Sequence, residues 1–399
     1  MRTLDFSAVE FQCDPWPLYA HLRVNDPVHW SAPNHCFVLV KYRHVRDALE
    51  RKDFSVEHPF RATRQVFGPT LLDLDGACHH GVRNQLVSQF KKSVVAANAA
   101  RLIESAAGEL VDRLSDLGIA DFVTEFAVQL PIRVIARVLG LPENDCHHLY
   151  NALRPIVTYV DNPRAGLAEA VLAKRELEVD LAELLGRHPV AEGTAIHQLT
   201  TTRPGEPQPD PNAVLRTTLL LLFAGTETMS AAISNTFVCL LKHPAVMSAA
   251  RDDPSILPSL IRESLRWEPP LQIIPRFAVT DIDLDGVTIR RGTSVLLSLA
   301  SANRDEEHYR SPDLWDPSRP ERDLLSFGAG RHVCLGSAMA EKELEVAFRL
   351  LLERFDRFEV EGELPPIQGR VFRRPPSLPL RFHSRKPAGR HAALISSGV

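Results

Sequence analysis

One of the six cysteines in this chain of 399 residues keeps unusual company. Cys334 lies in the stretch Leu325-Ser-Phe-Gly-Ala-Gly-Arg-His-Val-Cys-Leu-Gly-Ser-Ala-Met-Ala340, with Gly328 and Gly330 before it and Gly336 just after. Glycines at that density permit positive φ and a close approach of backbone to a ligand. A helical pattern starts immediately beyond Gly336, which predicts the thiol beside a helix N-terminus, where the dipole and free N–H groups favour a thiolate. A thiolate is a soft metal ligand. The competing reading, a buried structural cysteine in a tight turn, leaves the Phe-Gly-x-Gly-x-His-x-Cys-x-Gly spacing unexplained.

A second constellation is Ala224-Gly225-Thr226-Glu227-Thr228, in the middle of a helical pattern running from Pro211 to Lys242. The flanking run from Leu219 to Phe223 is apolar nearly all round, which predicts a buried central helix. Glycine, two threonines and an acid suit such an interior poorly unless something uses them. A glycine beside hydroxyls can also admit water to the hydrogen-bond ladder and kink the helix. The plainer alternative is a threonine pair bonding back to its own helix, with Glu227 paired to a base elsewhere. Glu263 and Arg266 stand three apart on another helix and can pair there. His79 and Arg83 stand four apart on a third.

Taken together, these motifs resemble the haem-thiolate monooxygenases, the cytochromes P-450 of soluble bacterial type, over roughly residues 70 to 380. The resemblance implies a mainly α fold with a small β region, and haem b buried between the long central helix and the cysteine loop. It implies Cys334 as the iron ligand, where an electron-rich sulfur favours O–O cleavage. Phe327 and Gly328 would pack beside the haem near the sulfur, amides near Gly336 would tune the thiolate, and His332 would face a propionate, with Arg331 beside it. His79, Arg83 and Arg276 are the further propionate partners it implies, bidentate arginine being well matched to carboxylates; the four-residue spacing to Arg83 favours His79 over His80. Ala224 and Gly225 would let the helix pass close over the haem, Thr228 would hydrogen-bond dioxygen, and Glu227 would relay protons. Glu263, Arg266 and Arg319 would form a structural triad behind the haem.

The implied pocket is lined by Leu220, Phe223, Leu271, Ile273, Ile274 and Phe372, with parts of Phe60 to Leu72, so a hydrophobic small molecule such as a secondary metabolite is the expected substrate. Arg61, Arg64 and Arg373 read as exposed, though any of them could anchor a carboxylate. Hydroxylation or epoxidation with dioxygen is the expected reaction. Coupling, desaturation or ring closure would use the same site, and a non-catalytic haem sensor or carrier is the reading from another class. No flavin or nicotinamide glycine motif follows a strand and no iron–sulfur cysteine cluster occurs. Electrons are therefore expected from a ferredoxin-type donor with its NAD(P)H reductase, docking on basic residues such as Lys91, Lys92 or Arg331.

Helix-spaced apolar residues predict the elements that position these groups: Pro17–Asn25, Tyr42–Glu50, His79–Phe90, Ser93–Leu117, Phe122–Leu139, Ala165–Leu185, Pro211–Lys242, Pro244–Arg251, Ser255–Trp267 and Gly336–Phe355. Alternating stretches predict strands at 28–30, 36–40, 281–288, 294–298 and 357–360, with a hairpin turn at Asp285-Gly286. One domain is expected over residues 1–384, with a loose tail at 385–399. The chain is 44% hydrophobic and 24% charged, with a net charge of −4. That balance is unlike a disordered chain and gives no basic footprint for nucleic acid. No run approaches the roughly 20 apolar residues of a membrane-spanning helix, and Asp5, Glu10 and Asp14 interrupt any secretory leader. The expected setting is the cytoplasm.

Overall fold

The computed structural model describes residues 4–142, 146–187, 190–202, 208–320 and 323–385. Of the expected tail, only Arg385 falls within them; its N–H bonds the Arg354 carbonyl and its guanidinium pairs with Asp356. The central helix runs unbroken from Pro211 to Lys242, capped by the Asp210 carboxylate on the Asn212 N–H. Beside Gly225, the Thr226 and Thr228 hydroxyls donate to the Leu222 and Ala224 carbonyls of the preceding turn.

Around this helix pack Ala100–Leu117, Gln129–Leu139, Cys146–Asp161, Leu167–Arg187, Leu257–Trp267 and Ser337–Arg354. They share one continuous apolar core. Two expected helices begin with a π-helical turn, at Val95–Ala99 and Val123–Ala127. The helices Val9–Cys13, Ala62–Phe67, Cys146–Asp161 and Ala195–Thr200 are absent from the sequence expectations. Cys146–Asp161 carries Pro155 inside it, a residue that reads from sequence as a helix breaker, although Cys146, Leu149, Leu153 and Ile156 are buried at helical spacing.

A five-stranded sheet flanks the helices. Val28–Ser31 pairs antiparallel with Cys36–Leu39, which lies parallel to Ser294–Ser298; Ile273–Ala278 and Phe54–Ser55 complete it. The Ile282–Leu284 and Val287–Ile289 hairpin turns at Asp285 and Gly286, both at positive φ. Among the described residues no helix is long and apolar enough to cross a membrane.

Candidate active site

The loop before Ser337–Arg354 is shaped by its glycines. Gly328 and Gly330 sit at φ +69 and +65, and Gly330 nests against the end of the Tyr42–Glu50 helix, where an added Cβ would lie 2.7 Å from the Leu49 carbonyl oxygen. The Cys334 N–H bonds the Phe327 carbonyl at 2.8 Å, closing the loop on itself. Gly336 caps the following helix, and its N–H reaches the Cys334 sulfur. Cys334 is accessible. Its enclosure by protein nonetheless raises the thiol pKa, ahead of the lowering by Gly336 and by the charge of Arg83. Burial opposes the thiolate, and the Gly336 N–H and the Arg83 charge favour it.

Cations crowd this loop. His79 is 1% exposed, and neither ring nitrogen has a partner. Its ring lies 4.2 Å from that of His332, and burial, with the charges of His332 and Arg83, lowers its pKa to about 4. His80 is exposed, so His79 is the inward member of the pair. Arg83 donates to the Val333 carbonyl at 2.9 Å, beside the cysteine. Buried Arg276 leaves its Nε unpartnered, and burial together with Arg61 and Arg331 lowers its pKa to about 9. Arg61, expected at the surface, is almost enclosed; its Nε pairs with Asp73 Oδ1 at 3.2 Å, while Nη1 has no hydrogen-bond partner.

The residue missing from the sequence reading is Asp75, at the N-cap of the Gly76–Leu86 helix. Its carboxylate takes Arg331 Nε at 2.7 Å, His332 Nε2 at 2.9 Å, Ser55 Oγ at 2.7 Å and the Val56 N–H at 3.0 Å. Burial opposes ionisation, but these hydrogen bonds hold Asp75 far below the usual carboxylate range. Two expectations change as a result. His332 gives one ring nitrogen to a carboxylate of the chain itself. Arg331 also donates to the Arg51 and Phe54 carbonyls, each at 2.9 Å; it ties the loop to the sheet, and is neither a free propionate partner nor an exposed docking residue.

Between Thr217 and Leu240 the central helix is buried except at Ala224, Gly225 and Thr228. Ala224 and Thr228, one turn apart, share a face, and the Thr228 hydroxyl donates to the Ala224 carbonyl at 2.7 Å. Thr226 bonds the Leu222 carbonyl in the same way, inside the core. Gly225 serves another contact than the one expected: a Cβ there would lie 3.3 Å from Ile135 Cγ1, so the glycine lets the Gln129–Leu139 helix cross closely. Glu227 is 7% exposed and pairs with Arg374 at 3.2 Å. The elements of the plainer reading, back-bonded threonines and a paired acid, are all present and coexist with an accessible Thr228.

The sequence model described as Cytochrome P450 matches residues 165–381. The chain is similar to cytochrome P450 monooxygenase PikC of Streptomyces venezuelae, 30% identical across 97% of this chain and 96% of that protein. The Biotin biosynthesis cytochrome P450 of Bacillus subtilis (strain 168) is also 30% identical, over 94% of this chain and 97% of its own. The crystal structure of P450BioI in complex with hexadec-9Z-enoic acid ligated acyl carrier protein matches with TM-score 0.86 and 28% identity, over 94% of this chain and 99% of that one. The chain belongs to the cytochrome P450 family. A P450 is a haem-thiolate monooxygenase that binds haem b. The residues present fit that group: an accessible thiol adjoins buried cations that the carboxylates of Asp73 and Asp75 do not fully satisfy, and the two propionates would supply the missing acceptors.

In this P450 Glu263, Arg266 and Arg319 form one buried cluster. Arg266 meets Glu263 through two bonds of 2.8 Å, and Arg319 Nε lies 3.3 Å from the same carboxylate, all three side chains being buried. Phe223 meets Phe67 and Phe372 at centroid distances of 5.5 and 6.2 Å, and Leu271 bridges Phe372. Leu220 is buried in the main core. Ile273 and Ile274 depart from the expected lining: strand alternation sends Ile273 into the N-terminal cluster with Phe11 and Tyr19, and packs Ile274 against the Tyr42 cluster. Phe60 is 74% exposed. Arg373, read as exposed, is 1% exposed and pairs with Glu268.

Proposed function

We propose that this P450 holds haem b through Cys334 within a single domain and hydroxylates or epoxidises a hydrophobic small molecule of the secondary-metabolite kind. Electrons would come from a ferredoxin-type donor and its NAD(P)H reductase, in the cytoplasm. The observation that carries the site assignment is the accessible thiol, bonded by Gly336, next to buried His79, whose ring nitrogens have no partner, and buried Arg276, whose Nε has none. When bound, the haem iron supplies the activation of dioxygen.

The chain's own residues divide the remaining work. The bond from Cys334 N–H to Phe327 fixes the sulfur's backbone, and the Gly336 N–H on the sulfur withdraws charge from it. His79, Arg276 and Arg83 give the propionates charged or polar donors, while Asp75 fixes the orientation of His332. With its hydrogen on the Ala224 carbonyl, the Thr228 oxygen is free to accept a hydrogen bond; rotation about C–O turns it into a donor. Glu227 stands one residue away as the acid that replenishes that proton. The reduced protein with carbon monoxide is expected to show the red-shifted Soret band of thiolate-bound haem, and Cys334→His to lose it while retaining haem. A histidine-type spectrum from the unmodified protein overturns the assignment. Thr228→Ala is expected to bind substrate normally while diverting electrons to peroxide; unchanged coupling removes Thr228 from the relay.

A further inference from the structure

A cleft of about 450 Å³ opens between the Val9–Cys13 helix and the hairpin formed by Gln368–Gly369 and Arg373–Arg374. Gln12, Cys13, Gln368, Phe372 and Arg374 line it, and so does Glu227 of the central helix. We infer that protons reach the site through this cleft, and that Arg374 is a positioning residue holding Glu227 at its inner end. The inference rests on the reading of Glu227 as the relay acid.

The cleft is a constructed feature. Beneath it the buried Arg373 guanidinium donates to the carbonyls of Gln12 at 2.5 Å, Ile367 at 2.9 Å and Gly369 at 3.2 Å. Its Nε lies 3.1 Å from Glu268. These bonds staple the N-terminal helix to the hairpin and keep the two walls apart at a set distance. At roughly 30 Å³ per water, the volume holds a chain of solvent molecules.

Gln12, Gln368, Arg374 and Glu227 offer water polar groups on walls that also carry the apolar Val9, Phe372 and Pro376. Phe372 in turn packs edge-on to Phe223 of the central helix, with ring centroids 6.2 Å apart. Arg374 spans the two environments: it is more exposed than Glu227, yet its Nε lies 3.2 Å from Glu227 Oε1. With Oε1 anchored, Oε2 is the atom that takes a proton from cleft water and passes it toward Thr228. A mobile carboxylate would do this poorly, because proton transfer requires hydrogen-bond reach at the moment of transfer.

The test uses haem-loaded enzyme in a Cys78→Ser background, since Cys13 and Cys78 are the exposed cysteines besides Cys334. Cys13 is alkylated with maleimides of increasing size, and modification is verified by mass spectrometry. The bulky label is expected to raise the fraction of electrons lost to peroxide about tenfold, a small part of a full acid–base contribution. It should also enlarge the solvent isotope effect on that partition, with substrate Kd from spectral titration unchanged within about twofold. Arg374→Gln is expected to do the same and Arg374→Lys to retain most coupling. If Arg374→Gln fails to load haem, the Cys13 labels decide alone. A label that slows substrate binding and leaves coupling intact makes the cleft a substrate entrance and overturns the inference. Glu227→Gln separates the two levels: if it does not uncouple, the relay reading itself fails. If it does uncouple while neither the labels nor Arg374→Gln has an effect, only the cleft route fails.

Discussion

Gly330→Ala tests how the cysteine loop is held. At φ +65 an alanine occupies the left-handed region, at a cost of about 1–2 kcal/mol. Its Cβ would also lie 2.7 Å from the Leu49 carbonyl oxygen and 3.2 Å from Glu50 Cα. Those are backbone atoms at the end of a helix, so no rotamer change relieves the overlap, and the loop must shift at a further cost of about 1–3 kcal/mol. The expected destabilisation is about 3 kcal/mol, roughly a hundredfold in the unfolding constant. The shift passes directly to Arg331 and His332 on Asp75, three and two residues ahead of the cysteine. Denaturant unfolding should report the loss, and transfer of haem to apomyoglobin should accelerate. Gly336→Ala is the control: its added Cβ meets nothing within 4 Å and its φ is −88, so stability should stay within about 0.5 kcal/mol. A Gly330→Ala protein as stable as the unmodified one, or a Gly336→Ala protein equally damaged, refutes the account.

Glu263→Gln leaves two buried guanidiniums facing a neutral amide, and should cost about 3–5 kcal/mol in denaturant unfolding, whereas a surface pair would cost under about 1. Glu343 is buried with Oε1 unpartnered, and burial pushes its pKa up to about 8. The folded chain therefore keeps a proton that the unfolded chain releases near pH 4.5, and stability falls as pH rises from there toward 8. Glu343→Gln should match the unmodified protein near pH 4.5 and gain on the order of a few kcal/mol by pH 8; a pH-independent difference in melting excludes this. Arg331→Gln should lower stability while leaving the donor's KM unchanged, and reversing the exposed Lys91 and Lys92 should raise that KM at low salt and not at high salt. The opposite pattern would return Arg331 to the docking surface.

Local patterns were legible because their physics is local. The Tyr42–Glu50 helix, the Asp285-Gly286 turn and the Pro211–Lys242 helix follow from apolar spacing and turn chemistry, all contained in neighbouring residues. The cysteine loop was legible for the same reason, since its glycines, its histidine and its ligand are consecutive. Cys146–Asp161 escaped because its internal Pro155 reads as a breaker, although a buried apolar stripe at helical spacing runs through it and tertiary packing stabilises it. Ile273 was misplaced because alternation tells that two neighbours face opposite ways, but not which side holds the pocket.

Charged residues show where sequence reasoning stops. Asp75 lies 256 positions from Arg331, and Glu263 lies 56 from Arg319, so no spacing rule connects them. An isolated Glu263 and Arg266 reads as a solvated helix pair; it becomes a structural cluster only because the loop around Pro312 and Leu314 offers carbonyls to the guanidinium. Arg331 follows the same logic. From sequence it reads as a cation beside a propionate or on the docking surface; the Asp75 carboxylate, with the Arg51 and Phe54 carbonyls, makes it a half-buried strut. His79 and Arg276 are the reverse case: their elements bury them and supply too few acceptors. Since burying a polar or charged donor without an acceptor is costly, the pattern of satisfied and unsatisfied donors separates scaffold from site. Arg331, Arg266 and Arg319 are answered within the chain, while the neutral His79 ring and the Arg276 guanidinium keep donors for an acceptor from outside it.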